Sequence, residues 1–426
     1  MSVATLISGA SQLLTLRGRG PRRGNALANV GIVKNGAVLI ADDLFVAVGT
    51  SAQVEAHPLA ASAQRLDAAG GVVLPGFVDS HTHLIHAAGR ADEYELRITG
   101  ASYEEIAKRG GGILNSVNKL RAATSDALKQ RAFAVLKQFA AFGTTTIEAK
   151  SGYGLDLASE LKILRLHQQL SAEQPLDIVS TFLGAHLIPG EFRKLSAGVK
   201  DYLSLLIDKL LPEIAAQKLA QFCDVFCERG AFTLEQSKQI LEAGKRHGLR
   251  PRIHAEQLSR TGATQLAVKL GAASCDHLEK INRADVGVLA KSKTVATLLP
   301  GCDFHLGLKQ YAPARDLIDA GAIVALATDY NPGTSPTVSM PMILSLACTQ
   351  LRMTPAEAIT AATINSAYSL GRDKQIGSLE VGKLADVSIF DVDDYREIPY
   401  YFGMNTCHTT IKRGQIVYSK SSLSAA

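Results

Sequence analysis

The chain contains 426 residues, 46% of them hydrophobic and 20% charged, which is the composition of a folded globular protein with ample material for a core. This length exceeds what a single core usually organises, so we expect one large domain with a small one attached. The net charge of +5 is small, and the basic residues are scattered among nearly as many acids, which argues against nucleic acid as a partner.

Two features predict the compartment. No run approaches about 18 uninterrupted apolar residues, and residues 1–9 lack the cationic segment and apolar stretch of a secretory signal, so we expect neither a membrane segment nor standard secretion. The six cysteines lie mostly inside apolar runs and show no spacing typical of a disulfide framework. A reducing cytoplasm is therefore the predicted location.

The N-terminal part shows short β-like runs, at residues 4–8, 31–34, 37–41 and 44–48, with Asn35-Gly36 between two of them as a hairpin-type turn. Similar runs return near the other end, at 377–382, 385–390 and 409–417, with Arg413-Gly414 as a turn. We infer that both ends pack together as one discontinuous, β-sandwich-like small domain made of residues 1–74 and 375–426.

Between these ends, residues 75–374 repeat a pattern of apolar strand, loop and helix. Eight strands are predicted, at residues 77–83, 144–150, 177–186, 222–228, 252–256, 273–278, 294–300 and 323–329. Helices of suitable length separate nearly all of them, and a capping box at Thr354 with Gly371 as a stop predicts a last helix over 355–370. The pattern indicates an α/β fold, a (β/α)8 TIM-like barrel, whose active site lies at the carboxyl ends of the strands.

Ligand-type side chains fall at those strand ends. His81 and His83 are one residue apart at the end of the first strand, so both imidazoles point to the same face. His254 ends the fifth strand and Asp329 the eighth, and all four are residue types that zinc accepts. They predict a catalytic metal site with an open position, where a bound water becomes hydroxide near neutral pH; chance polar strand ends are the weaker alternative.

Two more histidines and one carboxylate extend the predicted site. His277 ends the sixth strand, within reach of the metal or of a substrate carbonyl, and His186 ends the third, where it can bind substrate or polarise an oxygen. Each can also be read as a hydrogen-bonded rim histidine. Asp329 is in addition placed to shuttle a proton, since a metal-bound carboxylate lies next to the nucleophilic water.

Substrate contacts are predicted on the neighbouring loops. Arg90 follows the first strand and can clamp a carboxylate with two hydrogen bonds, although a plain surface arginine is an equally good reading. Tyr153 lies in a glycine-rich loop after the second strand and offers its hydroxyl. Asn331, Gly333 and Thr334 lie in a Pro- and Gly-containing loop after the eighth strand and offer side-chain and backbone hydrogen-bonding groups.

Lys150 ends the second strand and suggests a second hypothesis, a lysine carbamate that bridges two metal ions. Related dinuclear barrels place that lysine on the fourth strand, which ends here in Glu228. We therefore expect one metal ion.

Nearly the whole chain resembles the amidohydrolase superfamily. Three features carry this resemblance: the small β domain built from both ends, the late Asp329, and the segment Pro75-Gly76-Phe77-Val78-Asp79-Ser80-His81-Thr82-His83. Within this superfamily, longer motifs are similar to the imidazolonepropionase family of histidine degradation. These motifs are Gly110-Gly111-Gly112-Ile113, Lys150-Ser151-Gly152-Tyr153-Gly154, Gly184-Ala185-His186 and Asp329-Tyr330-Asn331-Pro332-Gly333-Thr334.

The resemblance implies hydrolytic opening of the ring of 4-imidazolone-5-propanoate, an anionic small molecule, to N-formimidoyl-L-glutamate. It implies one zinc or iron ion per subunit at His81, His83, His254 and Asp329. The substrate contacts that it implies are Arg90, Tyr153, His186, Asn331, Gly333 and Thr334. We expect a homodimer, the commonest assembly. A metal-dependent deaminase of a heterocycle and a non-catalytic barrel are the alternative functions.

One position departs from some family members, which carry a glutamate with an acid–base role three residues after the metal-binding His254. This chain has Gln257 there, and an amide cannot shuttle a proton. We therefore assign Gln257 to substrate hydrogen bonding. His277 is then expected to stabilise the tetrahedral oxyanion, and Asp329 to pass the proton to the departing ring nitrogen.

Overall fold

The computed structural model describes residues 4–18, 20–101, 105, 110–193 and 195–420. The strands in chain order are β1 Thr5–Leu14, β2 Ile32–Ala41, β3 Leu44–Thr50, β4 Gln64–Asp67, β5 Val72–Pro75, β6 Phe77–Asp79, β7 Thr144–Lys150, β8 Asp177–Ala185, β9 Phe222–Cys227, β10 Arg250–Ala255, β11 Ser274–His277, β12 Val295–Leu298, β13 Ile323–Leu326, β14 Val387–Phe390, β15 Cys407–Lys412 and β16 Gln415–Ser419.

The α-helices are Ser51–Glu55, Ala91–Ile98, Ile113–Ala122, Ser125–Ala141, Leu157–Glu173, Gly190–Arg193, Gly198–Ser204, Leu211–Ala216, Leu234–Arg246, Ala263–Leu270, Arg283–Ala290, Pro300–Leu306, Ala314–Asp319, Met340–Thr349, Pro355–Ala361, Ile364–Ser369 and Glu397–Tyr400. Short 3-10 helices cover Gly24–Ala28 and Pro58–Ser62, and a π-helical segment covers Leu205–Leu210. In the described part of the chain, none of these helices combines the length and the apolar character that crossing a bilayer requires.

Strands β6 to β13 form the barrel sheet. They lie side by side in sequence order, and each neighbouring pair is parallel. Every residue of β7 is buried, as expected of a strand covered on both faces. The predicted (β/α)8 barrel is confirmed, and the predicted strand over 144–150 has the observed bounds.

Several predicted strands run too far at the carboxyl end. β6 ends at Asp79 instead of residue 83, and β13 ends at Leu326 instead of residue 329. Beyond these points the ladder gives way to isolated bonds: Asp329 N donates to His81 O at 3.1 Å, and His83 N donates to Tyr330 O at 2.7 Å. These two bonds join the chain after the first and last barrel strands, so they also fix the distance between the predicted ligands.

The second sheet joins strands from both ends of the chain in the order β16-β15-β14-β5-β1-β2-β3, with β4 beside β1. Asn35-Gly36 is not a turn, because β2 continues through it and Gly36 pairs with Ala10 at an irregularity in β1. Arg413-Gly414 does form the turn between β15 and β16. No strand is present at 377–382, where Leu379 N donates to Thr15 O at 2.8 Å. The domain bounds, 1–74 with 375–426 and 75–374, stay a prediction, and their outermost residues lie outside the described part.

The predicted last helix over 355–370 is wrong in one respect, since two helices occupy it. The capping box at its start is present: Thr354 N donates to Glu357 Oε2 at 2.8 Å. The break falls at Thr363, whose hydroxyl donates to Ile359 O at 2.6 Å. The carbonyl freed at Ala362 accepts the Val78 N–H at 3.0 Å, so the break ties this helical region to β6.

Asp79 is the side chain that closes the barrel beneath the site. It is fully buried, and its two oxygens accept the Thr328 N–H at 3.1 Å and the Thr328 hydroxyl at 2.6 Å. Asp79 ends β6 and Thr328 follows β13, so this carboxyl side chain links the first strand to the chain after the last.

Replacing Asp79 with Ala should therefore lower the free energy of unfolding by about 2–4 kcal/mol, because two buried donors lose their acceptors. Asp79→Asn should cost much less, since its amide oxygen accepts the N–H and its amide nitrogen donates to the hydroxyl. Urea unfolding in the presence of a chelator measures both variants free of metal binding. Wild-type stability of Asp79→Ala would show that this link does not hold the barrel closed.

Candidate active site

The predicted ligands converge on one point at the carboxyl end of the barrel. The ligand atoms of His81, His83 and His254 lie within 4.8 Å of one another, and so do those of His81, His277 and Asp329. Asp329 Oδ1 is 3.5 Å from His81 Nε2 and 3.6 Å from His83 Nε2. All five side chains are buried. The structure thus brings together the four residues that the sequence predicts as ligands and places His277 beside them.

The chemistry of these donors fits a divalent ion. Among the described residues, the buried Nε2 atoms of His81 and His254 have no hydrogen-bond partner, which is costly unless a ligand occupies the space between them. Burial, with nearby positive charge, lowers the pKa of His81 and His83 well below the usual value, so both imidazoles are neutral, as ligation requires. Burial raises the pKa of Asp329 to about 6, against the opposing pull of His277.

Carboxylates behind the imidazoles orient them. Asp276 Oδ2 lies 2.7 Å from His81 Nδ1, and Asp224 Oδ2 lies 3.1 Å from His254 Nδ1. An ionised carboxylate can only accept a hydrogen bond, so His81 Nδ1 carries the hydrogen and its Nε2 lone pair points into the site. The Asp224 charge beside His254 Nδ1 favours the same tautomer there. Such pairs are the usual outer support of metal-binding histidines.

These carboxylates belong to a buried charge network. Lys150 Nζ lies 2.8 Å from both Glu148 Oε1 and Asp224 Oδ2, and Arg252 Nη2 lies 3.5 Å from Asp276 Oδ2. Burial would raise the pKa of Asp224, but His254 and Lys150 lower it well below its usual range. Lys150 is thus a paired ammonium group, and carbamate formation would abolish these ion pairs, so the geometry favours the one-metal hypothesis.

Sequence reasoning missed the carboxylates and the arginine of this network, although a signal is present. Glu148 lies two residues before Lys150, and Arg252 lies two residues before His254, so each pair shares a face of its strand. Charged side chains at the inward positions of otherwise apolar barrel strands indicate a buried ionic network.

His277 has its own carboxylate partner. Its Nδ1 lies 3.4 Å from Glu279 Oε1, and both residues are about 2% exposed. Burial alone would lower the pKa of His277, but the Glu279 charge outweighs it and raises the pKa to about 9. The backbone here is strained, because His277 and Leu278 both adopt left-handed conformations, with φ of 80° and 78°. The imidazole is therefore held in place with negative charge beside it, from Glu279 and from Asp329.

A cavity of about 170 Å³ opens over the convergent side chains. It is lined by His83, Arg90, Ile113, Tyr153, His186, Phe226, His254, Gln257, Leu258, His277, Leu306, Asp329, Asn331 and Thr334. All the predicted substrate-contact residues except Gly333 are in this lining. Gln257 also donates from Nε2 to Cys302 Sγ at 3.6 Å.

Gly333 is not among the residues that line the cavity. Its N–H and that of Thr334 both donate to Asn331 Oδ1, at 2.8 and 2.7 Å, so the loop is closed on itself. A Cβ atom on Gly333 would collide with the Arg90 guanidinium, which packs directly over it. The absence of a side chain at this position gives Arg90 its place at the cavity wall, and substrate contact by Gly333 stays a prediction.

His186 and Tyr153 together form part of the cavity wall. His186 Nδ1 lies 3.0 Å from the Gly152 carbonyl, which can only accept, so Nδ1 carries the hydrogen and Nε2 is left as an acceptor. Burial lowers the pKa of His186 to about 3, which keeps the ring neutral. Burial also raises the pKa of Tyr153, whose ring centroid is 5.3 Å from that of His186, so its hydroxyl remains a donor. This wall thus offers one donor and one acceptor.

Known proteins resemble this chain in sequence and in fold. The model of the amidohydrolase family matches residues 72–417. The imidazolonepropionase of Solibacter usitatus is 48% identical over 422 residues, covering 99% of this chain and 100% of that protein. The imidazolonepropionase of Brevibacillus brevis is 44% identical over 427 residues, with 99% and 100% covered. An adenosine deaminase from Xanthomonas campestris, solved with bound zinc, aligns with a TM-score of 0.71 at 14% identity, covering 97% of this chain and 92% of that one.

The matched segment includes the whole barrel and all the side chains that converge at its mouth, so the chain belongs to the amidohydrolase family. The likeness to the solved deaminase reflects this shared fold. The sequence identities of 48% and 44% to the two imidazolonepropionases, along the full length, define the family more narrowly. Within the amidohydrolases, the chain belongs to the imidazolonepropionases, and it is an enzyme of that kind.

Replacing Asp224 with Asn should weaken metal binding by about 10- to 100-fold, because His254 loses the charge that orients and strengthens it as a ligand. Competition with a coloured chelator measures the affinity directly, without any assay of turnover. Asp201→Asn, on the exposed face of helix Gly198–Ser204, is the matched control and should bind metal as the wild type does. Equal metal affinities for the two variants would show that Asp224 does not support metal binding by His254.

Proposed function

We propose that this chain hydrolyses 4-imidazolone-5-propanoate to N-formimidoyl-L-glutamate, with His81, His83, His254 and Asp329 holding one metal ion. The full-length identity to imidazolonepropionases is the single observation that carries the proposal. The convergence of the four side chains under a cavity supports the metal assignment. A homodimer in the cytoplasm remains our expectation for assembly and compartment.

The ion is proposed to be zinc or iron, both of which accept histidine and carboxylate ligands. When bound, it supplies a Lewis acid that lowers the pKa of water and polarises a carbonyl. The protein's own contribution is to keep the imidazoles neutral and oriented. Their burial and the carboxylates behind His81 and His254 support that role.

The anionic propionate group is assigned to Arg90. Its guanidinium lies at the cavity wall, and its buried Nε has no hydrogen-bond partner among the described residues. A planar carboxylate suits this donor set, since it can accept two parallel N–H bonds. Tyr153 and His186 then face the ring as one donor and one acceptor, and Gln257 and Asn331 offer amide groups from neighbouring loops.

Proton transfer is assigned to two side chains. His277, kept protonated by Glu279, is placed to donate a hydrogen bond to the carbonyl oxygen as it becomes tetrahedral and negative. Asp329 accepts a proton from the attacking water and passes it to the ring nitrogen as the C–N bond breaks. Gln257 has no proton to transfer and is left with hydrogen bonding to the substrate.

The function is tested by supplying purified enzyme with imidazolonepropionate made in situ from urocanate. We expect formimidoylglutamate to appear, to stop after chelation and to return with added metal. Release of ammonia from a heterocycle without formation of formimidoylglutamate would instead favour the deaminase, which at present has only a likeness of fold to support it.

Asp329→Ala should lower kcat on this substrate by on the order of 10²–10⁴, because it removes both a ligand and the proposed proton carrier. Metal content must be measured on the same sample, so that loss of the ion is separated from loss of proton transfer. Near-wild-type turnover of the variant loaded with metal would rule out both roles of Asp329.

Arg90→Ala should raise KM by about 10- to 100-fold and change kcat much less, because the lost interaction is made equally with substrate and transition state. Arg90→Lys, which keeps the charge but lacks the planar fork, should fall between Ala and the wild type. Steady-state kinetics on the three proteins provide the comparison. An unchanged KM in Arg90→Ala would remove the carboxylate clamp from the mechanism.

A further inference from the structure

Glu160 is a fully buried carboxylate that the proposed mechanism does not use. It lies near the start of helix Leu157–Glu173, but this helix already has its cap, because Asp156 accepts the Ser159 N–H at 2.7 Å. Glu160 instead turns back towards the loop of residues 151–155, which follows β7. Capping of the helix therefore does not explain a buried charge at this position.

The loop wraps around this carboxylate with its backbone N–H groups. Oε1 of Glu160 accepts from Gly154 at 2.8 Å, from Leu155 at 2.9 Å and from Gly152 at 3.1 Å, and Oε2 also lies 3.1 Å from the Gly152 nitrogen. Hydrogen bonds to an ionised acceptor are roughly twice as strong as neutral ones. Burial raises the pKa of Glu160, and these bonds oppose the rise.

The path of the loop includes two residues with positive φ. Leu155 has a left-handed backbone with φ of 56°, which costs a residue with a side chain about 1–2 kcal/mol. Gly152 has φ of 105°, and a Cβ atom there would lie 2.7 Å from Leu183 O. In this conformation the three N–H groups converge on the Glu160 carboxylate, which therefore stabilises it.

This loop carries one wall of the substrate cavity. Tyr153 lies between the two glycines that donate to Glu160, and the Gly152 carbonyl accepts the His186 Nδ1–H at 3.0 Å. A shift of the loop would thus move the Tyr153 hydroxyl and release the His186 ring together. Both side chains line the cavity, whereas Glu160 lies behind them.

We propose that Glu160 is a positioning residue for substrate recognition, which acts through the loop of residues 151–155 to hold Tyr153 and His186 in register with the substrate ring. The role in recognition rests on the function proposed above, and the hold on the loop is independent of it. Metal binding lies outside this role, because Glu160 contacts none of the proposed ligands through the bonds described.

The first test compares Glu160→Gln and Glu160→Leu with the wild type by steady-state kinetics and metal analysis. We expect KM to rise about tenfold or more in Glu160→Leu and less in Glu160→Gln, whose amide oxygen still accepts. Metal content should stay at the wild-type level. Glu357→Gln is the matched control: Glu357 is a buried capping glutamate, accepting the Thr354 N–H, in a helix that follows the last barrel strand, so this variant should lower Tm without changing KM.

A double-mutant cycle separates positioning from general loss of stability. If Glu160 acts through Tyr153, then Glu160→Gln should raise KM less in the Tyr153→Phe background than in the wild type. Gln257 lies on a different loop, so in the Gln257→Ala background Glu160→Gln should raise KM by the same factor as in the wild type. Equal effects of Glu160→Gln in all three backgrounds would overturn the proposed route through Tyr153.

Hydrogen exchange of the free enzyme tests the hold on the loop without any substrate. Peptides covering residues 151–155 should exchange faster in both Glu160 variants and at the wild-type rate in Glu357→Gln. Unchanged exchange in Glu160→Leu would overturn the proposal, whatever the enzyme acts on. Faster exchange together with an inactive wild type would reject the substrate instead, leaving the role of Glu160 in the loop intact.

Discussion

The rest of the site depends on one constraint: charges buried inside the barrel must balance. Glu148, Asp224 and Asp276 lie beneath the imidazoles with Lys150 and Arg252 between them, and all five side chains are essentially inaccessible. Breaking a buried pair leaves an uncompensated charge, which costs several kcal/mol. With the Asp329 carboxylate above them, these three carboxylates and two cations leave two negative charges in excess. A divalent cation above them is the complement that this arrangement favours.

Buried carboxylates also shape the loops that carry the chemistry. Glu148 accepts the Thr82 N–H at 3.2 Å between the two first histidines, and Asp79 fixes Thr328 just before Asp329. Glu256 accepts the Gly262 N–H at 3.1 Å in the loop after β10. In each case an acceptor inside the barrel replaces the ladder bonds that end with the strand. The segments that carry the ligands are therefore held in place by hydrogen bonds although the strands end before them.

The sequence was sufficient to predict the barrel and the convergence at its mouth, because strand periodicity and strand-end histidines are local signals. His81 and His83 share a face by spacing alone, and Asp329 follows from counting strands. The true strand ends, the break at Thr363 and the place of Gly333 were not predictable in this way. Each depends on a contact between distant segments, such as the Arg90 guanidinium over Gly333 or the Val78 N–H on the Ala362 carbonyl. The local secondary-structure propensity of a segment does not predict such contacts.

The same charge arrangement bears on how an anionic substrate would lie in the cavity. The floor carboxylates are paired with Lys150 and Arg252 and offset by the proposed metal ion, whereas the positive guanidinium of Arg90 stands at the wall, on the loop after β6. A negatively charged chain is therefore attracted mainly by Arg90. The proposed substrate then has one favourable orientation, with its propionate towards Arg90 and its uncharged ring over the imidazoles. The electrostatic field of the site would thus orient the substrate before any hydrogen bond to its ring is formed. Neutral groups on Tyr153 and His186 are then sufficient to recognise the ring.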